Sequence, residues 1–214
     1  MKIAVLLTGI CYSDGQDVLP RDWRQCYKNI LEFFSGIEVD YYLTTYNSVF
    51  NEELIKIFKP KKSLFLDYKT STQRGTFLKS LENILENQAD FIFCTRFDIH
   101  FNKKIDDFKI DYTKFNFLFR EKSNWDVISG GVKRYFVTDN FFAFPIKYKS
   151  IFSDCILGLE KSFYKKFTTH SLPFLHHIFD GSEPKLCDFV EYTFISNLEE
   201  NSNSNSFYTL VRTH

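Results

Sequence analysis

Three side chains able to do chemistry, Arg96, Asp98 and His100, stand at alternate positions in the stretch Asp90–Phe101. The stretch opens as an apolar run. Side chains alternate at period two in a strand, so Phe91, Phe93 and Thr95 share one face and Ile92 and Cys94 the other. A short apolar run bounded by polar residues suits a strand buried on both faces, as in a parallel sheet. Beyond it Arg96, Asp98 and His100 fall on the even side, while Phe97, Ile99 and Phe101 stay apolar on the odd side. A cation, a carboxylate and an imidazole are thus expected together where a central strand leaves the sheet, and open α/β sheets bind ligands outside the carboxyl ends of their strands. Asp98 and His100 have the donor chemistry for a divalent cation: carboxylate oxygen suits Mg2+ or Mn2+, and imidazole tilts the choice toward Mn2+. The plain alternative is a turn-capping Asp98 and a surface His100.

The preceding elements must position these groups. Lys2–Leu7 reads as a buried first strand, followed by Thr8-Gly9. A first strand running into a glycine-containing loop is where α/β folds often hold a nucleotide, although one glycine also suits an ordinary turn. Asp22–Phe34 carries Trp23, Cys26, Tyr27, Ile30, Leu31 and Phe34 at helical spacing. Val39–Thr44 is the expected second strand, with Thr45 at its carboxyl end, placed to touch a base or ribose or simply to make a polar turn. Asn51–Phe58 reads as a short helix and Ser63–Leu66 as a third strand. Thr72–Glu86 is a second helix with Phe77, Leu78, Leu81, Ile84 and Leu85 on one stripe. Arg74 in its first turn opposes the helix dipole, which favours either an anion partner or solvation. Strand and helix therefore alternate up to Phe101, which predicts an α/β fold with a mainly parallel sheet flanked by helices.

After Phe101 the pattern loosens. Lys114–Phe119 reads as a strand, Tyr135–Phe144 as a strand interrupted by Thr138-Asp139-Asn140, Glu121–Arg134 as a loop, Lys147–Lys165 as helical in part, and Leu172–Phe179 and Lys185–Leu198 as helical. Phe207–His214 reads as a closing strand or extended tail. Asp139 stands among apolar neighbours, where an unpartnered charge is costly, so it needs either a partner or a function. One domain over residues 1–214 is expected, with a nucleotide-binding half of about 1–101 and an acceptor-side half of about 102–214.

Composition narrows the classes. The 27 basic and 27 acidic residues cancel, which argues against a general nucleic-acid binder. The five cysteines are odd in number and lack Cys-x-x-Cys spacing, which fits unpaired thiols in a reducing, cytoplasmic setting. The apolar start is too short for a signal peptide's usual plan, and no run approaches the roughly 18–20 apolar residues of a membrane span. The 26 Phe are read as coding bias or core filling and not as a binding signal.

On the first strand with Thr8-Gly9, the second strand ending near Thr45, the helix carrying Arg74 and above all Phe91–His100, the chain resembles the GT-A-fold glycosyltransferases. Cys-Thr-Arg-Phe-Asp-Ile looks like the Arg-x-Asp signature of small bacterial and viral glycan-building transferases, and Asp98-Ile-His100 like an Asp-x-His variant of their Asp-x-Asp motif. The size is similar to that of compact, chlorella-virus-like glycosyltransferase domains. The resemblance covers roughly the first 145 residues.

It implies a metal-dependent transfer of sugar from a nucleoside-diphosphate sugar, expected to be a UDP-sugar, to a glycan or glycoprotein acceptor in the cytoplasm (the host's, for a viral chain). It implies that Asp98 and His100 bind Mn2+ or Mg2+ and that Thr8, Gly9, Thr45, Arg74 and Arg96 contact the nucleotide. A histidine from the later chain would complete the metal site, His214 first and His177 second. Asp139 would serve as the base of an inverting enzyme or orient the sugar in a retaining one. His100 departs from the family's usual Asp, and Arg96 has the alternative of pairing with a carboxylate. Two other classes fit the same residues: a metal-dependent phosphoesterase or nucleotidyltransferase using Asp98, His100 and Asp139, and a non-catalytic scaffold that keeps the fold.

Overall fold

The computed structural model describes residues 1–15, 20–85, 88–117, 120–121, 136–137, 141–160, 192–194, 199–200 and 207–211. In chain order the elements are β1 Ile3–Thr8, β2 Tyr12–Ser13, β3 Arg21–Asp22, α1 Tyr27–Phe33, β4 Val39–Tyr46, α2 Asn51–Phe58, β5 Lys62–Leu66 and α3 Gln73–Glu82. They continue with β6 Phe91–Arg96, β7 Ile99–Phe101, β8 Phe115–Phe117, β9 Arg120–Glu121, β10 Phe136–Val137, β11 Phe141–Pro145, α4 Lys149–Glu160, β12 Tyr192–Phe194, β13 Glu199–Glu200 and β14 Tyr208–Leu210.

Among the described residues the main sheet has seven strands in the order β12-β8-β11-β6-β1-β4-β5. β1 lies parallel between β4 and β6, and β5 adds parallel to β4. β11 is the reversed strand, antiparallel to both β6 and β8, while β12 runs parallel to β8. This is the mainly parallel α/β sheet that the alternation predicts.

The period-two reading of the strands accounts for the two cores. Ile3, Val5 and Leu7 of β1, Phe91 and Phe93 of β6 and Phe141 and Ala143 of β11 all enter one cluster, with Ile30 and Phe33 of α1 and Leu54 and Phe58 of α2. Ala4, Leu6, Ile92, Cys94, Phe142 and Phe144 enter the other, with Phe77, Leu78 and Leu81 of α3 and Phe152 of α4. Helices thus cover both faces, which is why the strands read as continuous apolar runs. The phenylalanines are core: Phe33 stacks on Phe101 at 3.8 Å, and Phe141 meets the rings of Phe93, Phe101 and Phe108 between 5.1 and 5.8 Å. Among the described residues no helix is long and apolar enough to cross a membrane.

Three expectations need correction. The strand of Asp90–Phe101 is two elements: β6 stops at Arg96, a turn holds Phe97 and Asp98, and β7 pairs with β14 instead of the main sheet. The expected helix Lys185–Leu198 contains a strand, β12, at Tyr-Thr-Phe, where aromatic and β-branched residues favour a pleated surface. The helix expected from Asp22 is first a 3-10 turn, Trp23–Gln25, with the Asp22 carboxylate accepting from Arg24 N, and becomes α-helical only at Tyr27.

Phe141 is fully buried and touches rings from α1, β6 and β7. Phe141→Ala is expected to destabilise the protein by about 3–5 kcal/mol, measured as a lowered urea midpoint with an unchanged slope.

Candidate functional site

The carboxyl ends of β1, β4 and β6 lie level, with Thr8 paired to Thr44 on one side and Arg96 on the other. Gly9 follows in the left-handed region at φ +98°, which favours glycine. Its N–H donates to Thr44 O at 3.2 Å, and a Cβ built on it would meet nothing within 4 Å. The backbone there borders open space, so a ligand can approach it closely.

The walls are polar. The Ser80 hydroxyl donates to Thr76 O at 2.8 Å, which leaves its oxygen to accept from Thr8 Oγ1, also 2.8 Å away. Thr76 Oγ1 lies 2.8 Å from Tyr46 Oη, and the Tyr46 ring meets Tyr68 edge-on at 5.1 Å. Asn83 Nδ2 donates to Thr44 Oγ1 at 2.9 Å. One face of α3 is therefore tied to β1 and β4 by hydroxyl and amide contacts just below the open edge.

The strongest electrostatic feature is at Asp98. Its side chain is 1% exposed. Arg96 holds it in a fork, with Nε donating to Oδ1 at 2.7 Å and Nη2 to Oδ2 at 2.8 Å. Arg21 of the β2–β3 hairpin brings its Nε to 3.3 Å from Oδ2. The backbone of the same residue is fixed too, since Val211 N donates to Asp98 O at 2.7 Å. Arg21 and Arg96 are 14% and 13% exposed. The charge of Arg21 also reaches Tyr46, where it opposes the upward push of burial on the phenol. Burial, with the charges of Asp98 and Asp22, pushes the Cys26 thiol up to about 12, and burial raises Cys11 and Cys94 as well. These thiols are neutral near pH 7, which makes them poor nucleophiles and poor metal ligands.

Of the residues singled out by sequence, Thr8, Gly9, Arg96 and Asp98 come together at this edge. Thr45 does not join them: it is fully buried on the opposite face of β4, where its hydroxyl lies against the Cys11 thiol. Arg74 occupies the first turn of α3. His100 sits on β7 with Nδ1 3.4 Å from Asn102 Oδ1, and its neighbour across the ladder is Thr209. Asp139, His177 and His214 lie outside the described residues. Arg21 is the partner of Asp98 that sequence reasoning misses, because nothing in the polar stretch around it shows periodicity; the pairing of Arg21-Asp22 back on Tyr12-Ser13 brings it there.

A divalent cation asks for several converging donors. Among the described residues no group of three His, Cys, Asp or Glu side chains is placed to hold one. Both Asp98 oxygens face guanidinium N–H groups, and a cation there would displace a charge-assisted hydrogen bond. The described residues do not fit a metal site.

No family model matches the chain, and no curated protein does. A likeness appears among solved structures. A glycosyltransferase involved in the glycosylation of the major capsid of PBCV-1 superposes with a TM-score of 0.50 over 91% of this chain and 81% of that one, at 11% identity. The fold is the GT-A glycosyltransferase fold. Drosophila β1,4-galactosyltransferase 7, in complex with manganese, UDP-Gal and xylobiose, overlaps 99% of this chain and 71% of its own at a TM-score of 0.47 and 11% identity. In a GT-A fold the edge that carries Thr8, Gly9 and Arg96 is the carboxyl edge of the parallel strands, the place where open α/β sheets take their ligands.

Asp98→Ala would remove the carboxylate that the mostly buried Arg21 and Arg96 share. The expected loss of stability is about 3–5 kcal/mol. Urea unfolding should show the loss shrinking when Arg96→Met is combined with it, since one fewer buried cation then loses its carboxylate.

Proposed function

We propose that the chain is a glycosyltransferase that moves a sugar from a nucleoside-diphosphate sugar, a UDP-sugar, to a glycan or glycoprotein acceptor in the cytoplasm. The observation that carries this reading is a GT-A sheet whose carboxyl edge combines open space at Gly9 with the basic side chain of Arg96. In this reading residues 1–101 hold the donor and residues 102–214 shape the acceptor side. Thr8 and Gly9 lie against the nucleotide, and Arg74 is a further candidate for the anion. Preorganised donors at the edge stabilise the charge that develops on the departing diphosphate, and such electrostatic stabilisation is usually what accelerates a transfer of this kind most.

Asp139 is the proposed base that takes the proton of the acceptor hydroxyl if transfer inverts the anomeric centre, and a sugar-orienting group if it does not. Mn2+ or Mg2+ on Asp98, His100 and His214 is what the family resemblance adds. His214 lies outside the described residues.

The test begins with a thermal-shift panel of uridine, guanosine and cytidine diphosphates. A ligand of the folded state stabilises it by about 2.7 kcal/mol at a hundred times its dissociation constant. Uridine diphosphate is expected to give the largest shift, and UDP release from a matching UDP-sugar should rise with added glycan acceptor. Release that ignores the acceptor would favour a phosphoesterase, and no shift with any nucleotide would favour a non-catalytic scaffold.

A further inference from the structure

Among the described residues β5 closes one side of the seven-stranded sheet, with β4 as its single partner. Lys62 at its start is exposed, and Ser63, Leu64 and Phe65 are half-buried. Phe65 packs inward on the core cluster that α1 and α2 cover. Leu66 O accepts from Asn47 N, just beyond β4, at 2.8 Å. In a regular ladder Ser63 and Phe65 then turn their N–H and C=O groups away from β4. An edge of this kind is a template for another strand. We propose that its occupant is β5 of a second copy of this chain, paired antiparallel about a two-fold axis at Leu64, so that the two sheets continue into one.

Charge selects this occupant and this register. Lysines on an edge ordinarily discourage pairing, but here the acid that answers them stands on the same edge. Lys61 and Asp67 flank β5 at equal distances from Leu64. A two-fold axis at Leu64 therefore sets Lys61 of one copy opposite Asp67 of the other, and does so twice, because each contact of an isologous interface is repeated. Lys61 Nζ lies 3.5 Å from Asp40, but the two side chains are 63% and 41% exposed, and so open a pair contributes little. Asp67 is exposed too, with Oδ1 accepting from Lys69 N at 2.9 Å. The same register sets Ser63 against Phe65, small against large, and lets them exchange backbone hydrogen bonds as directly opposed antiparallel residues do. The other pairings fail on charge. Parallel strands in register would put Lys62 beside Lys62, and like charges directly opposed are destabilising. A slip by one residue leaves Lys61 and Lys62 opposite Leu66 and Phe65 and moves every side chain to the other face. β4 separates β5 from β1 and β6, and antiparallel pairing points the two carboxyl edges in opposite directions. The interface thus stands apart from the reading of the candidate site.

The experiment is sedimentation equilibrium on the full chain over a wide range of concentration, at low and high salt, with each variant first checked for folding by circular dichroism. The wild type is expected to form a reversible dimer that weakens as salt rises. Lys61→Glu sets acid against acid at both ends of the ladder and should raise the dissociation constant about tenfold. Asp67→Lys should do the same. Combining Lys61→Glu with Asp67→Lys should restore the dimer, which a merely destabilised variant would not do. Leu64→Cys supplies a second measurement, because directly opposed Cβ atoms across an antiparallel pair come close to the reach of a disulfide. Mild oxidation should link two copies of Leu64→Cys beyond anything the wild type shows. Val49→Cys is the control, since Val49 is 88% exposed and lies off the strand. A monomer at every concentration, a dimer indifferent to both charge reversals, or Leu64→Cys linking no better than Val49→Cys would each overturn the inference.

Discussion

A buried carboxylate held by two guanidiniums is the constraint around which this molecule is arranged. Asp98 would be untenable alone at 1% exposure, because an isolated charge in a protein interior has lost its water without replacement. Its partners come from separate parts of the chain. Arg96 ends β6, Arg21 belongs to a hairpin that precedes α1, and Val211, just beyond β14, fixes the backbone. Each element must be in place for the charge to be matched, so the cluster links the hairpin, the central sheet and the last described strand at one point. Breaking a buried pair costs far more than the pair contributes over an apolar replacement, and the cluster therefore specifies an arrangement more than it stabilises one.

The rest of the edge is rigid for a different reason. β1, β4 and β6 are packed on both faces by aromatic and aliphatic side chains, and such an interior is as dense as a molecular crystal. The contacts of α3 with Thr8 and Tyr46, and of Asn83 with Thr44, are short and directional. The polar rim thus sits on a platform that cannot easily deform, which is what a site relying on fixed donors requires. Burial keeps the thiols of Cys11, Cys26 and Cys94 protonated, so they act as small apolar side chains in the core.

Much of the architecture is legible in the sequence because it rests on period and on local punctuation. The two faces of Phe91–Thr95 and of Ile3–Leu7 follow directly from alternation, and the spacing over Asn51–Phe58 predicts α2 with its observed bounds. What escapes depends on contacts distant in sequence. The alternation of Arg96, Asp98 and His100 assumes one continuous strand. The turn at Phe97-Asp98 breaks it, sending Asp98 inward toward Arg96 and leaving His100 on β7 beside Asn102. Thr45 follows the period-two rule faithfully, and that rule places it on the buried face against Cys11. Arg21 meets Asp98 only because the hairpin folds back, and no local pattern announces such a return. β12 lies inside a stretch whose apolar spacing suits a helix, and its partner β8 is far away in the chain.

The pairing of β7 with β14 has a consequence for how the protein is made. Its ladder joins segments about as far apart as Asn102 and Thr209, separated by 107 positions. While the chain is being synthesised from its amino end, β6, β1 and β4 can assemble long before residues 208–210 leave the ribosome. During that interval β7 presents an unpaired strand edge, and such an edge is a template for pairing with another chain. Closure of so long a loop adds only a modest entropic cost, but it makes a late folding step. A nascent chain of this protein therefore carries its candidate site half built, with the Asp98 carbonyl still waiting for Val211, until nearly all of the described sequence has emerged.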